Sequence, residues 1–311
     1  MEGILVTISP YLKDHVSFWQ MPEESKGLWP RLTSVWSLRS FLKKNPHQVV
    51  HVFGDVNFML WGAPKVKRVL TVHDIGFLHQ SKGFKRMLLR YFWLSGPLKK
   101  AHSVVAVSEA TKKEIQILYP KQKITVIPSI IDARFARQDK TFNETSPSIL
   151  LLGTAPNKNL TRVLLALQNL PIELTLVGKC TREQNDLLAK LDHSQKDRVS
   201  FEELLSLYFQ ADIVMLCSTH EGFGMPILEA QATGRVVITS NCSSMPEIAG
   251  EGACLVDPFS IESIRMGVQL VINDRSYRNS LIEKGFRNVQ RFQAADVAKK
   301  YLDLYQSLLH S

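Results

Sequence analysis

The sequence predicts an α/β protein of two Rossmann-like domains, and three observations carry that expectation. Apolar runs of strand length alternate with helix-period patterns in two successive series, with a polar stretch between them. Loops rich in ligand-type residues follow several of these strands, at the edge where open α/β sheets bind small molecules. At 311 residues and 45% hydrophobic, the chain suits two medium cores better than one large one.

In chain order, Ile4–Ile8 is the first expected strand, and Ser9-Pro-Tyr-Leu-Lys-Asp14 follows it without a glycine. Residues 15–30 hold Trp19 and Trp29 but little period, so they read as a loop or short helix. Ser34–Lys44 is helical in pattern, with Val35, Leu38, Phe41 and Leu42 on one face. Gln48–Phe53 is a second strand, closing at Gly54 and Asp55, and Val66–Val72 is a third. The third runs into Thr71-Val-His-Asp-Ile-Gly76, which places His73 and Asp74 at a strand carboxyl end. A histidine there either packs structurally or faces a ligand, and the aspartate can hold its ring or cap the turn.

Ser81–Lys100 mixes six basic residues with four aromatics. Phe84, Met87, Leu88, Tyr91 and Phe92 follow helical spacing and are expected to face the core beneath a solvated basic face. The competing reading is a basic amphipathic surface for an anionic lipid or a lipid-linked acceptor. Ala101–Glu114 reads as a strand opening into a helix, with Ser108 as its N-cap and within reach of a ligand. Ile124–Pro128 is the next strand, and the polar, aperiodic Gln138–Pro147 is the expected linker.

The second series opens with Ser148–Thr154, then Ala155-Pro-Asn-Lys-Asn-Leu160, then a helical face of Val163, Leu164, Ala166 and Leu167. Lys158 stands at a helix start, against the dipole, which makes a plain surface role uncomfortable. Ile172–Gly178 is a strand, Val199–Phe201 is expected as a short one, and Glu202–Gln210 is helical. Asp212–Ser218 and Val236–Ser240 are strands flanking a helix that ends at Gly234. Between them lies Thr219-His-Glu-Gly-Phe-Gly-Met-Pro-Ile-Leu-Glu-Ala230. Gly222 and Gly224 lack a Cβ, so backbone N–H groups there can approach a ligand closely. Pro226 suits the first turn of a helix whose free N–H groups and positive dipole end favour a phosphate. Glu221 precedes that helix and Glu229 lies about one turn inside it; taken alone, one carboxylate faces the dipole and the other is solvated. Glu247 in the turn after Ser240 reads as a capping residue, and Ala253–Pro258 is the last strand. The closing helix, Gln293–Leu309, carries Val297, Tyr301, Leu304, Tyr305 and Leu308 on one face, and that stripe needs a partner.

Charge divides unevenly. Residues 1–147 hold 22 Lys and Arg against 11 Asp and Glu, whereas residues 148–311 hold 16 against 18. The basic half is expected to meet something anionic. Nucleic acid is set aside, because there is no zinc-finger spacing and no aromatic-basic RNP-like run; an anionic membrane surface or acceptor fits better. Cys180, Cys217, Cys242 and Cys254 lie singly, which argues against a zinc site and a disulfide framework. No apolar stretch reaches about 18 residues, and the acidic start does not resemble a signal peptide, so a cytoplasmic location, peripheral at a membrane face, is expected. G-x-G-x-x-G and G-x-x-x-x-G-K-S/T are both absent, against a nicotinamide enzyme or a P-loop NTPase. D-x-D is absent as well.

The spelling E-G-F-G-M-P-x-x-E-A, with its carboxylates eight positions apart, closely resembles the E-x7-E signature of GT-B glycosyltransferases of the family 4 type. His73-Asp74, Ser108 and the Pro156-Asn-Lys-Asn159 element are similar to further segments of that family. The resemblance implies the GT-B fold, with two Rossmann-like domains facing across a cleft: 1–142 on the acceptor side, 143–290 for the nucleotide sugar, and a terminal helix, 291–311, crossing back. It implies transfer of a sugar from a UDP-, GDP- or ADP-activated donor to a glycan or lipid-linked acceptor, with retention and without a metal or other cofactor. Glu221, His73 and Lys158 take the catalytic places. Glu229, Gly222, Phe223, Gly224, Met225 and Ser108 take the donor-binding ones. Thr154 stands where many members carry an arginine, and Arg162, one turn after Lys158, is a substitute for that charge. The alternative is a degenerate member that binds a nucleotide sugar or a partner without turnover.

Overall fold

A computed structural model describes residues 11–12, 16–17, 19, 21, 27–53, 56–64, 66–79 and 82–310. The expected strand Ile4–Ile8 and the closing pair Gly54 and Asp55 lie outside the described residues. The chain divides into two compact units, Met1–Ile130 with Ala294–Ser311, and Ile131–Gln293. The observed divisions fall after Ile130 and Gln293, against expected ones after 142 and 290.

The first unit is built on a parallel sheet of β1 (Val49–Val52), β2 (Lys67–Val72), β3 (Ser103–Ala106) and β4 (Ile124–Val126), in that order among the described residues. The helix before it spans Leu28–Lys44, six residues longer than its pattern, and Thr33 and Ser34 hydroxyls bond back to carbonyls in its first turns. Leu38 and Leu42 are buried with Val50, Leu70, Val104 and Ile115 in one cluster. On the sheet's other face, the helix Ala294–Leu309 lays Val297, Ala298 and Tyr301 against Val69, Val105 and Ile127. The stripe that needed a partner finds it here, and each fully buried aliphatic in such a cluster contributes about 1.5–3 kcal/mol.

The stretch from Ser81 departs from expectation. It forms a helix over Gly83–Leu89, a π-helical turn over Arg90–Ser95 and a short helix over Gly96–Lys100. Phe84, Met87, Leu88, Tyr91 and Phe92 face solvent rather than the core. Leu94 and Leu98, outside that stripe, are the residues that go inward. The wider turn rotates the chain so that a single 3.6-residue face no longer continues through it.

The second unit carries six parallel strands: β5 (Ser148–Leu152), β6 (Glu173–Val177), β7 (Asp192–Lys196), β8 (Ile213–Leu216), β9 (Val236–Ser240) and β10 (Cys254–Val256). Their order across the sheet is β10-β9-β8-β5-β6-β7. Counted within the unit this is 3-2-1-4-5-6, the doubly wound order, whose switch point lies between β5 and β8. Ile149, Leu174, Ile213 and Ile238 from the strands pack with Leu164, Leu188, Ile264 and Val268 from the helices.

Two expectations fail in this unit. Val199–Phe201 is not a strand: Ser200 caps the helix Phe201–Gln210, and Glu203 closes a capping box with it. The strand at that edge is Asp192–Lys196, exposed along its length and held to β6 by main-chain pairing. The polar stretch 138–147 is no free linker either. Asp212, itself buried, accepts from Lys140 Nζ, Ser148 N and Ser148 Oγ, while Arg278 Nη2 donates to Glu144 Oε1 at 2.6 Å. Polar residues without period were clamped by charge, a device that leaves no hydrophobic signature.

Candidate active site

Two loops leave the carboxyl ends of β5 and β8, the adjacent strands at the switch point, and the sequence-predicted residues of the second unit gather on them. After β5, Gly153 adopts φ 85°, and Lys158 lays its stem across it: a Cβ there would meet Lys158 Cε at 3.4 Å. Pro156–Lys158 forms a single 3-10 turn, and Asn159, at φ 59°, opens the helix Leu160–Leu167. The Asn159 amide donates to the carbonyls of Cys217 and Pro258, which ties the β5 loop to the segments that follow β8 and β10. Arg162 Nη1 donates to Asn159 Oδ1 at 2.9 Å, so its guanidinium supports this turn. Thr154 packs against Gly178, where a Cβ would come within 2.7 Å of its Cγ2.

After β8 comes Glu221. Its Oε1 accepts from Lys158 Nζ at 2.8 Å, Ser218 Oγ at 2.7 Å and Asn157 Nδ2 at 3.4 Å. The Lys158 and Glu221 side chains are 21% and 15% exposed, so the pair is screened less than a surface pair while still reachable from solvent. Ser243 and Ser244 hydroxyls both donate to the Glu221 carbonyl, and Ser244 also donates to that of Phe223. These serines fix the path of the loop. Gly224 sits at φ 101°, ahead of the helix Met225–Thr233 with Pro226 in its first turn. The loop therefore presents main chain at a helix N-terminus, as its glycines predict. Gly222 is buried and Met225 half-buried. The Phe223 ring turns inward onto Phe292, centroids 5.8 Å apart, so only its backbone faces the loop.

Glu229, one turn into that helix, is held by Tyr208, whose hydroxyl donates to Oε2. Burial raises the Glu229 carboxyl to about 7, opposed by the Tyr208 hydrogen bond and the Lys158 charge. Tyr208 is wholly buried, and its own ionisation is pushed far up by that burial and by Glu229. The serines, Asn157 and Tyr208 were not singled out from sequence; Asn157 lies inside the Pro156-Asn-Lys-Asn159 element, Ser218 lies just before the E-x7-E stretch, and Tyr208 lies on a helix 21 residues away with no local signal.

The first unit holds the other two predicted positions, again close together. His73 follows β2, and its Nε2 is buried without a hydrogen-bond partner. Burial lowers the imidazole to about 4 against the pull of Asp74, so it is neutral at pH 7. Asp74 Oδ1 accepts from Gly76 N at 2.7 Å, the turn-capping role. Ser108 is buried, and its Oγ accepts from Thr111 N at 3.0 Å as the cap of Glu109–Leu118. Thr111 Oγ1 in turn donates to the His73 carbonyl at 3.4 Å. Behind them His51 bridges Tyr305 Oη and Thr71 Oγ1, both at 2.7 Å, and burial lowers it to about 3. The Phe53 ring stands edge-on between them, 5.4 Å from the His51 ring centre and 5.2 Å from that of His73. Among the described residues no group of three or more His, Cys, Asp or Glu is placed to hold a metal ion.

Comparison with known proteins gives this geometry a context. The family described as glycosyl transferases group 1 matches residues 132–288, half of the chain, and glycosyltransferase family 4 matches 8–135. The O-antigen chain mannosyltransferase B of Escherichia coli is 26% identical over 92% of this chain and 80% of its own length. Among solved structures, a sucrose-phosphate synthase from Thermosynechococcus elongatus superimposes with a TM-score of 0.75 at 17% identity, covering 91% of this chain and 79% of that one. The Anabaena protein HepE, solved with UDP and glucose, gives a TM-score of 0.69 at 15% identity, covering 96% and 89%. Such structural likeness shows the fold, which is GT-B.

Proposed function

The chain belongs to the glycosyl transferases group 1 family, and we propose from its site that it moves a sugar from a nucleotide-activated donor to a glycan or lipid-linked acceptor. The observation that carries this reading is the convergence of Lys158, Ser218 and Asn157 on Glu221 beside a helix N-terminus at the switch point. In the reaction, an acceptor hydroxyl oxygen bonds to the anomeric carbon as the bond from that carbon to the diphosphate breaks. The hydroxyl proton leaves with the nucleoside diphosphate or to solvent.

Charge grows on the departing phosphate oxygens. Lys158 and the N–H groups of the Gly222–Gly224 loop supply the countercharge, fixed in place before the reaction begins. No metal is assigned, because these groups take that role. Glu221 accepts hydrogen bonds from hydroxyls of the transferred sugar. Glu229, with one oxygen taken by Tyr208, offers the other to the ribose. His73 is assigned a contact to the transferred sugar as a neutral imidazole, and retention at the anomeric carbon is part of the same reading. The names of the relatives favour a mannosyl donor.

The exposed stripe of Phe84, Met87, Leu88, Tyr91 and Phe92, with Arg86 and Arg90 between them, supports contact of the first unit with an anionic membrane surface. Among the described residues no helix is long and apolar enough to cross a membrane. Incubation with radiolabelled UDP-, GDP- and ADP-sugars and a lipid-extract acceptor tests the reaction. Transfer from one donor, slowed about a hundredfold or more in Lys158→Ala, supports it; donor binding with no transfer to any acceptor would favour a degenerate member.

A further inference from the structure

The amino-terminal edge of the first unit's sheet carries a basin that the proposed donor chemistry does not use. It is an open cavity of about 1010 Å³, and its charged wall is Arg39, Lys43, Lys67, Arg68, Lys100 and His102. Arg39 and Lys43 come from the last turns of Leu28–Lys44, Lys67 and Arg68 from the start of β2, and Lys100 and His102 from just before β3. No carboxylate stands among its described lining residues. Arg39, Lys43, Arg68 and Lys100 converge on one hollow, and such a set is self-repulsive unless something anionic offsets it.

Two further observations point to a ligand. Arg68 Nε is buried and has no hydrogen-bond partner, an expensive state for a charged donor. The floor beside it is aromatic: Lys100 Nζ lies 4.9 Å from the centre of the Trp61 ring, and Trp61 is also in ring contact with the exposed Tyr91 and Phe92. His102 feels the field as well, its imidazole lowered by burial and then by Arg68 and Lys67. The basin is distinct from the His73 position. Arg68 and His73 sit at opposite ends of one strand, about 16 Å apart at ~3.3 Å per residue.

We propose that this basin binds a phosphate-bearing ligand, with the Arg39, Lys43, Arg68 and Lys100 side chains as its donors. Phosphate suits the set because arginine forks and lysine ammoniums together match its charge and oxygen geometry. Two sources share this chemistry, a soluble phosphorylated molecule and a lipid head group. The lipid source has support in the helix itself: Trp29, Leu32 and Trp36 are exposed on the same face as Arg39 and Lys43, at alternating spacings of three and four. That source rests on the membrane contact proposed above; the phosphate site does not.

The test uses the full chain carrying Lys158→Ala, so that the donor loop contributes little phosphate binding. Pyrophosphate is titrated calorimetrically into this protein, into the same protein with Arg39→Ser and Lys43→Ser, and separately into it with Arg68→Met. Arg39 and Lys43 are exposed on a helix surface, so folding should be unaffected, and a melting curve checks it. Each basin variant is expected to weaken pyrophosphate binding by about tenfold or more. Flotation with phosphatidylcholine vesicles, with and without phosphatidylglycerol, then separates the sources. Basin-dependent flotation with anionic vesicles identifies a lipid head group, and basin-dependent pyrophosphate binding alone identifies a soluble ligand. Pyrophosphate affinity and flotation that are both unchanged in every basin variant would overturn the proposal.

Discussion

The two units differ in where their polar groups find partners, and the difference separates binding from scaffold. In the second unit the groups near the switch point are paired: Lys158 and Ser218 with Glu221 on the loops, and Glu229 with Tyr208 between two helices. In the first unit His73 is half-buried beside Phe53, with its Nε2 buried and unpartnered, next to a network closed by Tyr305 of the terminal helix. A paired loop is held in shape before ligand arrives. A neutral histidine without such pairing depends on the packing around its ring, here Phe53, for its position.

The largest expected effect breaks the paired side. Lys158→Ala should lower kcat by about 10²–10³-fold, the range for removing a preorganised charge from a leaving group. The measurement is steady-state transfer at saturating donor, and a rate near wild type would move leaving-group stabilisation to another residue.

The next sharpens the contrast through pH. All five tryptophans lie between residues 19 and 93, so tryptophan fluorescence reports on the first unit alone. His51 and His73 are lowered to about 3 and about 4 in the fold, below their unfolded value of about 6.5. The unfolded chain therefore binds more protons in that window, and stability falls as pH drops below about 6.5. The cost is about 1.4 kcal/mol per histidine for each pH unit, down towards pH 4. Urea unfolding followed by tryptophan fluorescence at pH 7 and pH 5 checks this, and the slope should shrink in His51→Phe. An unchanged slope in that variant would mean that His51 does not titrate as a buried group.

The local frame of the candidate site was readable from sequence: the turn before Leu160–Leu167 that carries Lys158, and the loop and helix start that carry Glu221 and Glu229, are constrained by nearby glycines, prolines and strand ends. The helix ending at Gly234 was equally plain, since Gly234 takes φ 76° at the cap. What was not legible depends on distant partners. Tyr208 meets Glu229 across 21 residues. Asp192–Lys196 forms a strand with no apolar alternation, because β6 supplies its pairing. The outward stripe at Phe84–Phe92 had the right period for a helix, but periodicity cannot say which side of the helix a core occupies.

A smaller effect probes the edge where expectation failed. Ser200→Ala removes the cap of Phe201–Gln210, the helix that carries Tyr208, and should cost about 1 kcal/mol. Thermal melting followed by circular dichroism measures it. A loss within error would show that the Glu203 half of the capping box suffices. Smaller again is the titration of Glu229, raised to about 7 by burial. Ribose hydroxyls donate to the ionised form, so nucleotide affinity should rise by a few-fold from pH 6 to pH 8 as this carboxyl loses its proton. Glu229→Gln should flatten that rise, and a persistent slope would assign it to the phosphate instead.

The most direct test of the account is calorimetric titration of UDP, GDP and ADP into the wild-type chain and into Glu229→Ala. One of the three nucleotides is expected to bind the wild type, and the variant to bind it about tenfold more weakly or worse. Equal affinity in the two proteins would take the ribose away from Glu229 and contradict the placement of the donor on the β5 and β8 loops.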